Sequence, residues 1–192
     1  MRKCFLFISL FIVLSFLSAC SSNPSIELVD VDVDIVKDKS LLGSIGITEG
    51  ERKGDELVPT ALFYKFTIKN TGNKTAGIEE VDKGIELKIE PKDELRAVSE
   101  DVIGFNIYDP EEYNASGVGF GHSFLSVLKP DEKGEYTLNY DLGVSEENSQ
   151  VPLLVPSKDK LDELKRHALD AFLVVTIENQ EIARFDLNNL KN

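Results

Sequence analysis

The chain has 192 residues, with 21 Lys and Arg against 34 Asp and Glu, a net charge of −13, two Cys, two His and no Trp. At 42% apolar and 29% charged it is an ordinary globular chain, long enough to build a real core. The acidic balance argues against nucleic acid, whose phosphates need clustered Lys and Arg, and two cysteines are too few for a disulfide framework or a thiolate zinc site.

The first residues differ from everything after them. Arg2 and Lys3 form a basic start, and Cys4 to Ala19 then runs without a charged side chain, the layout of an exported precursor. At 16 residues, three of them Ser, the run falls short of the ~20 that a spanning helix needs. It ends in Leu17-Ser18-Ala19-Cys20, which resembles the lipobox of bacterial prolipoproteins. That resemblance covers residues 1–20. It implies a signal peptide over 1–19, a diacylglyceryl group on the Cys20 thiol, cleavage just before Cys20, and a cell-membrane lipid anchor on the extracytoplasmic side. Residues 20–25 then form the lipidated Cys and a short tether. Losing Arg2 and Lys3 leaves 19 of the 21 basic residues against the same 34 acidic ones. Anionic headgroups repel such a body, so acyl chains must hold it, at about 0.8 kcal/mol per buried methylene.

From Ile26 the pattern has period two: Val29, Val31, Val33 and Ile35 alternate with Asp30, Asp32 and Asp34, predicting a half-buried strand with an acidic outer face. Lys37 to Thr60 is rich in Gly and charge and reads as a loop or a hidden short edge strand. Ala61 to Asn70 is the clearest core strand, with Leu62, Tyr64, Phe66 and Ile68 on one face. It ends in the turn Asn70-Thr71-Gly72-Asn73-Lys74. Ile85, Leu87 and Ile89 predict another strand, stopped by Pro91, and Val102 to Tyr108 a further one. Gly117–Leu128 and Glu135–Leu142 read as a hairpin in which Tyr136, Leu138, Tyr140 and Leu142 share a face. A helix over about 157–169 follows from Leu161, Leu164, Ala168 and Leu169, with Lys158–Asp162 and Asp162–Arg166 pairs on its wet side. Ala171–Glu178 and Ile182–Leu187 form a terminal hairpin.

The expected architecture is mainly β: an antiparallel β-sandwich with one appended α-helix, in a single domain over 26–192. Tyr64–Lys74, with Leu128-Lys129-Pro130-Asp131 later, resembles immunoglobulin-like domains of extracytoplasmic bacterial lipoproteins. There a strand ends in an Asn-Thr-Gly turn and a Pro-acidic turn precedes another strand. The resemblance implies a sandwich with a binding or accessory role. The cysteine pair and strand Trp of antibody-type domains are absent.

Candidate chemistry is sparse. Asp30, Asp32 and Asp34 suggest a calcium loop, but its Gly and closing Glu are missing, and alternate strand residues stand about 6.6–6.8 Å apart. A solvated face is the expectation, with these three as weak metal candidates and no cofactor. Only His122 and His167 exist to serve as bases, and Gly121-His122-Ser123 lacks the second Gly of a nucleophile elbow. His167 reads as a cation at a helix C-terminus. Two scattered His and no mature thiolate speak against a tightly bound transition metal. Gly117-Val118-Gly119-Phe120-Gly121 alternates like a strand whose glycine face lets something approach closely. Tyr108 and Tyr113 flank an acidic Pro loop, where either is a possible ligand contact, as is His122 on its strand. The expected function is a non-catalytic binding or scaffolding surface protein, with an extracytoplasmic protein or cell-wall partner. The alternatives are a hydrolase using acidic residues near His122 and a calcium-dependent binding domain.

Overall fold

The structure, a computed structural model, describes residues 24–190 except 81, 82, 116, 117, 124 and 149. In chain order the elements are β1 (Ile26–Val36), α1 (Lys39–Leu42), β2 (Ile45–Gly46), β3 (Glu56–Leu57), β4 (Thr60–Asn70), β5 (Ile85–Pro91) and α2 (Asp93–Ile103). Then come α3 (Pro110–Ala115), β6 (Phe120–Ser123), β7 (Lys133–Gly143), α4 (Lys158–His167), β8 (Ala171–Ile177), β9 (Gln180–Asp186) and a 3-10 turn, Leu187–Leu190. The molecule is mainly β and its strand ladders are antiparallel: a four-stranded sheet in the order β1-β4-β7-β6, a three-stranded sheet β5-β8-β9, and the small pair β2-β3. No helix among the described residues is long and apolar enough to cross a membrane.

Period-two alternation sets the core. Leu62, Tyr64, Phe66 and Ile68 of β4 and Tyr136, Leu138, Tyr140 and Leu142 of β7 are all buried. They meet Ile85, Leu87 and Ile89 of β5 and Leu173 and Val175 of β8 in one cluster, so the two larger sheets share a core. Fully burying a side chain of this size contributes about 1.5–3 kcal/mol. Two turns meet at one end of it. The buried Asn70 amide donates to the carbonyls of Lys74 (2.7 Å) and Leu128 (2.9 Å) and accepts from the Gly72 amide (3.0 Å). Asp131 N donates back to Asn70 O at 2.8 Å, so the two turns singled out in the sequence are stitched together.

Several elements depart from the sequence reading. A register shift between Leu28 and Asp30 turns Leu28 inward and leaves Val29 37% exposed, so Val29 is not part of the apolar row. Residues 37–60 hold α1, capped by the Asp38 carboxylate on Ser40 N (2.7 Å), and the β2–β3 pair. Ile47 and Leu57 of that segment pack with Val144 and Val151 in a satellite cluster. The strand expected over Val102–Tyr108 is absent. Val102 closes a helical row with Leu95 and Ser99 at i, i+4 and i+7, Asp93 and Glu94 occupy the first turn, and Gly104 ends α2 at φ 98°. The chain therefore carries α2 and α3 besides the helix expected near its end, which spans Lys158–His167. That helix reaches outward for its ion pairs: Lys160 meets Asp101 and Lys165 meets Asp34, in place of the expected pairs along its own surface. The first arm of the expected hairpin shrinks to β6, because Leu128 leaves the sheet and pairs with Ala76.

Candidate binding site

Strand alternation points Thr137, Asn139 and Asp141 of β7 away from the core, where solvent is the ordinary surrounding. Yet Asn139 is 9% exposed and Asp141 only 6%. The glycines of β6 explain it. Gly121 stands opposite Asn139, and Asp141 N donates to Gly119 O at 3.1 Å. A Cβ on Gly121 would lie 2.2 Å from Asn139 Oδ1, and one on Gly119 would lie 2.8 Å from Asp141 Oδ2. Both side chains lean over β6 into space that only glycine leaves open. Phe63 of β4 pairs with Asn139 from the other side, and α1 adds a further wall through Ser40 to Leu42. Together they line an open cavity of about 440 Å³ that also has Asn139 and Asp141 in its lining.

Asp141 accepts hydrogen bonds from Asn139 Nδ2 (3.2 Å) and from the Gly119 amide. Both are dipoles without formal charge, and burial outweighs them, pushing the carboxyl up to about 6. Lysines that adjoin the lining in sequence or in register are engaged elsewhere. Lys37 donates to Ser145 Oγ (2.8 Å), Lys39 pairs with Glu56, and Lys65 pairs with Glu135 at 3.0 Å. No Lys or Arg side chain lines this cavity among the described residues.

A second, smaller cavity of about 330 Å³ lies on the core side of β6, lined by apolar and aromatic side chains that include Tyr108, Tyr113, Tyr140 and Phe120. Tyr108 and Tyr113 are 5% and 4% exposed, so neither is the open loop contact that the sequence suggested. Both rings stack edge-on against Tyr140, at 4.9 and 5.8 Å, because the segment between them folds inward as α3. The Tyr108 hydroxyl donates to Tyr64 Oη (2.7 Å), which in turn donates to Ala168 O (3.0 Å). Burial drives both phenols far above their ordinary range, so they stay neutral. The Tyr113 hydroxyl reaches the carbonyls of both Gly119 and Asp141. It pins, from the core side, the very backbone whose other side carries the larger cavity.

The sequence candidates are thus divided. His122 is exposed, with its ring 5.7 Å from Phe120, and it borders the larger cavity, whereas Tyr108 and Tyr113 border the smaller one. Phe120 touches both. Asp30, Asp32 and Asp34 stand exposed along β1 and do not converge on a point, as strand spacing dictates. Asp34 accepts from Lys165 Nζ (2.8 Å), which holds its carboxyl below the usual range. Cys20 lies outside the described residues.

Among the described residues one set of three potential metal ligands comes together, Glu94, His167 and Asp170, with ligand atoms within 4.8 Å of one another. His167 Nδ1 is 2.9 Å from Asp170 Oδ2 and 3.6 Å from Glu94 Oε1. One imidazole nitrogen faces two carboxylates and links α2 to the end of α4. The same three atoms are the ones available to a divalent ion.

Asn139 and Asp141 were missed as site residues. On a strand they read as the wet half of an alternation, and only their pairing with an equally spaced Gly119-x-Gly121 marks them. Comparison with protein-family models, curated proteins and solved structures gives no match for this chain.

Proposed function

We propose that the protein is a lipid-anchored, extracytoplasmic surface protein whose immunoglobulin-like body binds another envelope component and performs no catalysis. Leu17-Ser18-Ala19-Cys20, closing an uncharged run behind Arg2-Lys3, is the observation that carries the anchor. Ser25 lies only five positions after Cys20, and its carbonyl accepts from the amides of Thr71 (2.8 Å) and Gly72 (3.2 Å). Such a short link favours a body held close to its lipid. The immunoglobulin-like reading is supported by the shared core of two antiparallel sheets and by the stitched Asn70 and Leu128–Asp131 turns.

A binding role is favoured over hydrolysis by strand geometry. His122 and Ser123 are neighbours on β6 and therefore point to opposite faces, which removes the most obvious nucleophile–base pair. The second reading, a hydrolase using acidic residues, draws on one observation: the raised carboxyl of Asp141 in the cavity that His122 borders. Retained turnover in both His122→Ala and Asp141→Asn would dispose of it. Calcium dependence through Asp30, Asp32 and Asp34 is tested by thermal unfolding with and without the ion, where an unmoved midpoint ends that reading.

Mass spectrometry of the mature N-terminal peptide tests the anchor directly. The expected species begins at a diacylglyceryl-modified Cys20, and Cys20→Ala releases the protein from membranes. An unmodified Cys20, or intact precursor in the soluble fraction, overturns the proposal.

A further inference from the structure

We infer that the cavity between α1 and the β6–β7 face binds an organic cation, an ammonium or guanidinium group carried on a short aliphatic chain. The inference rests on the binding role proposed above and names the chemistry of the ligand.

Charge is the first argument. Asp141 is the carboxylate in the lining, 6% exposed, and its partners within the protein are an amide and a backbone N–H. A carboxylate withdrawn from water is ordinarily matched by a cation, yet no Lys or Arg among the described residues lines this cavity, and Lys37, Lys39 and Lys65 have other partners. The missing positive charge is what a ligand would supply. An anion would meet Asp141 and a chain of net charge −13, and is rejected twice.

Shape and lining give the second argument. The volume of about 440 Å³ falls within the ~300–1,000 Å³ typical of small-molecule sites. Phe63, paired with Asn139 and on the same face, borders it, and aromatic faces attract ammonium and guanidinium groups. Leu41 and Leu42 offer an apolar wall for methylenes, while Ser123 and Thr137 add hydroxyl oxygens able to accept N–H bonds.

Construction is the third. Gly119 and Gly121 have no backbone need for glycine, since neither adopts a positive φ. Their lack of a Cβ serves to admit Asp141 and Asn139 over β6. Truncating these polar side chains would remove the crowding, so the arrangement keeps two glycines in an edge strand for the sake of two buried polar groups.

Isothermal titration calorimetry on the full chain in detergent micelles, at neutral pH and low salt, tests the inference. The probes are 1,5-diaminopentane, Nα-acetyl-lysine amide and Nα-acetyl-arginine amide, with 1-pentanol, pentanoate and calcium chloride as controls. The amines should bind at least about tenfold more tightly than pentanol, and pentanoate should not bind. The tighter of the free diamine and the blocked amino acids tells whether the source is a small amine or a peptide side chain. Asp141→Asn should weaken amine binding by about tenfold or more without lowering the melting midpoint, and the wall variant Phe63→Ala by a few-fold, roughly threefold. Equal binding of pentanol and diamine, binding of calcium alone, or unchanged amine affinity in Asp141→Asn overturns the inference. The two proposals fail separately: a lipidated Cys20 with no amine binding removes only the ligand, and amine binding with an unmodified Cys20 removes only the anchor.

Discussion

The two faces of β7 are built from alternate residues of one strand and obey different rules. On the core side Tyr136, Leu138, Tyr140 and Leu142 fill a space made for them, and their burial stabilises the fold. On the other side Asn139 and Asp141 are almost as inaccessible, yet what covers them is a glycine strand, an aromatic ring and a short helix around a cavity. The first face is packed for stability. The second keeps a carboxylate out of water at a cost, which is the signature of a site and not of a core.

Truncation on the core face should give the largest effect. Leu138 is 1% exposed, and Leu138→Ala is expected to lower stability by about 3 kcal/mol in chemical denaturation. A loss below that of an ordinary surface change would contradict the packing described for this face.

Next comes the pH response of the other face. Asp141 has its carboxyl raised to about 6 from 3.8. Between those values the folded chain keeps a proton that the unfolded chain gives up, so this group's contribution falls as pH rises through that window. The difference is on the order of 2 kcal/mol after allowing for solvent at the cavity mouth. Asp34 and Asp186 act in the opposite sense, because Lys165 and Lys92 hold their carboxyls low and that stabilisation is lost in acid. The Asp141 effect is therefore read as the wild-type curve minus that of Asp141→Asn. His122 at the cavity rim and the neutral Tyr113 hydroxyl beneath are common to both curves. A difference curve that is flat from acid to neutral pH would remove the distinction between the faces.

Gly121→Ala attacks the notch itself. Its Cβ would need the place that Asn139 Oδ1 holds, and overpacking of this kind costs about 1–3 kcal/mol. Asn139→Ala in the same chain should recover most of that loss, since it removes the atom in the way; no recovery would mean that the glycine answers to something else.

The smallest effect is expected at Tyr136. Its hydroxyl is buried and has no hydrogen-bond partner among the described residues. Tyr136→Phe should leave stability unchanged or raise it by up to about 1 kcal/mol, and a clear loss would reveal a partner for that oxygen.

Much of the core face could be read from the chain, because period-two alternation over Leu62–Ile68, Ile85–Ile89 and Tyr136–Leu142 has one physical solution. The helix Asp93–Ile103 was equally legible in principle. Its acidic first turn, its Leu95–Ser99–Val102 row and the closing Gly104 are all local signals, but Val102-Ile103 also reads as the start of a strand, and that reading hid them. The register shift at Val29 had no such signal, since nothing local decides where a ladder slips. The cavity was beyond local reading as well. Asn139 and Asp141 look like any solvated strand face until pairing lays them over Gly119 and Gly121, eighteen and more residues away in the chain. Tyr108 and Tyr113 mislead in the reverse direction, being aromatic residues of an apparent loop that folds inward beneath the strand.

Carbon-detected NMR titration of the Asp141 carboxyl in the full chain is the most direct examination of the central claim, that β7 holds a desolvated carboxylate for a ligand cation. A midpoint near 6 is expected, moving lower when 1,5-diaminopentane is present. A midpoint in the ordinary aspartate range, indifferent to the diamine, would contradict it.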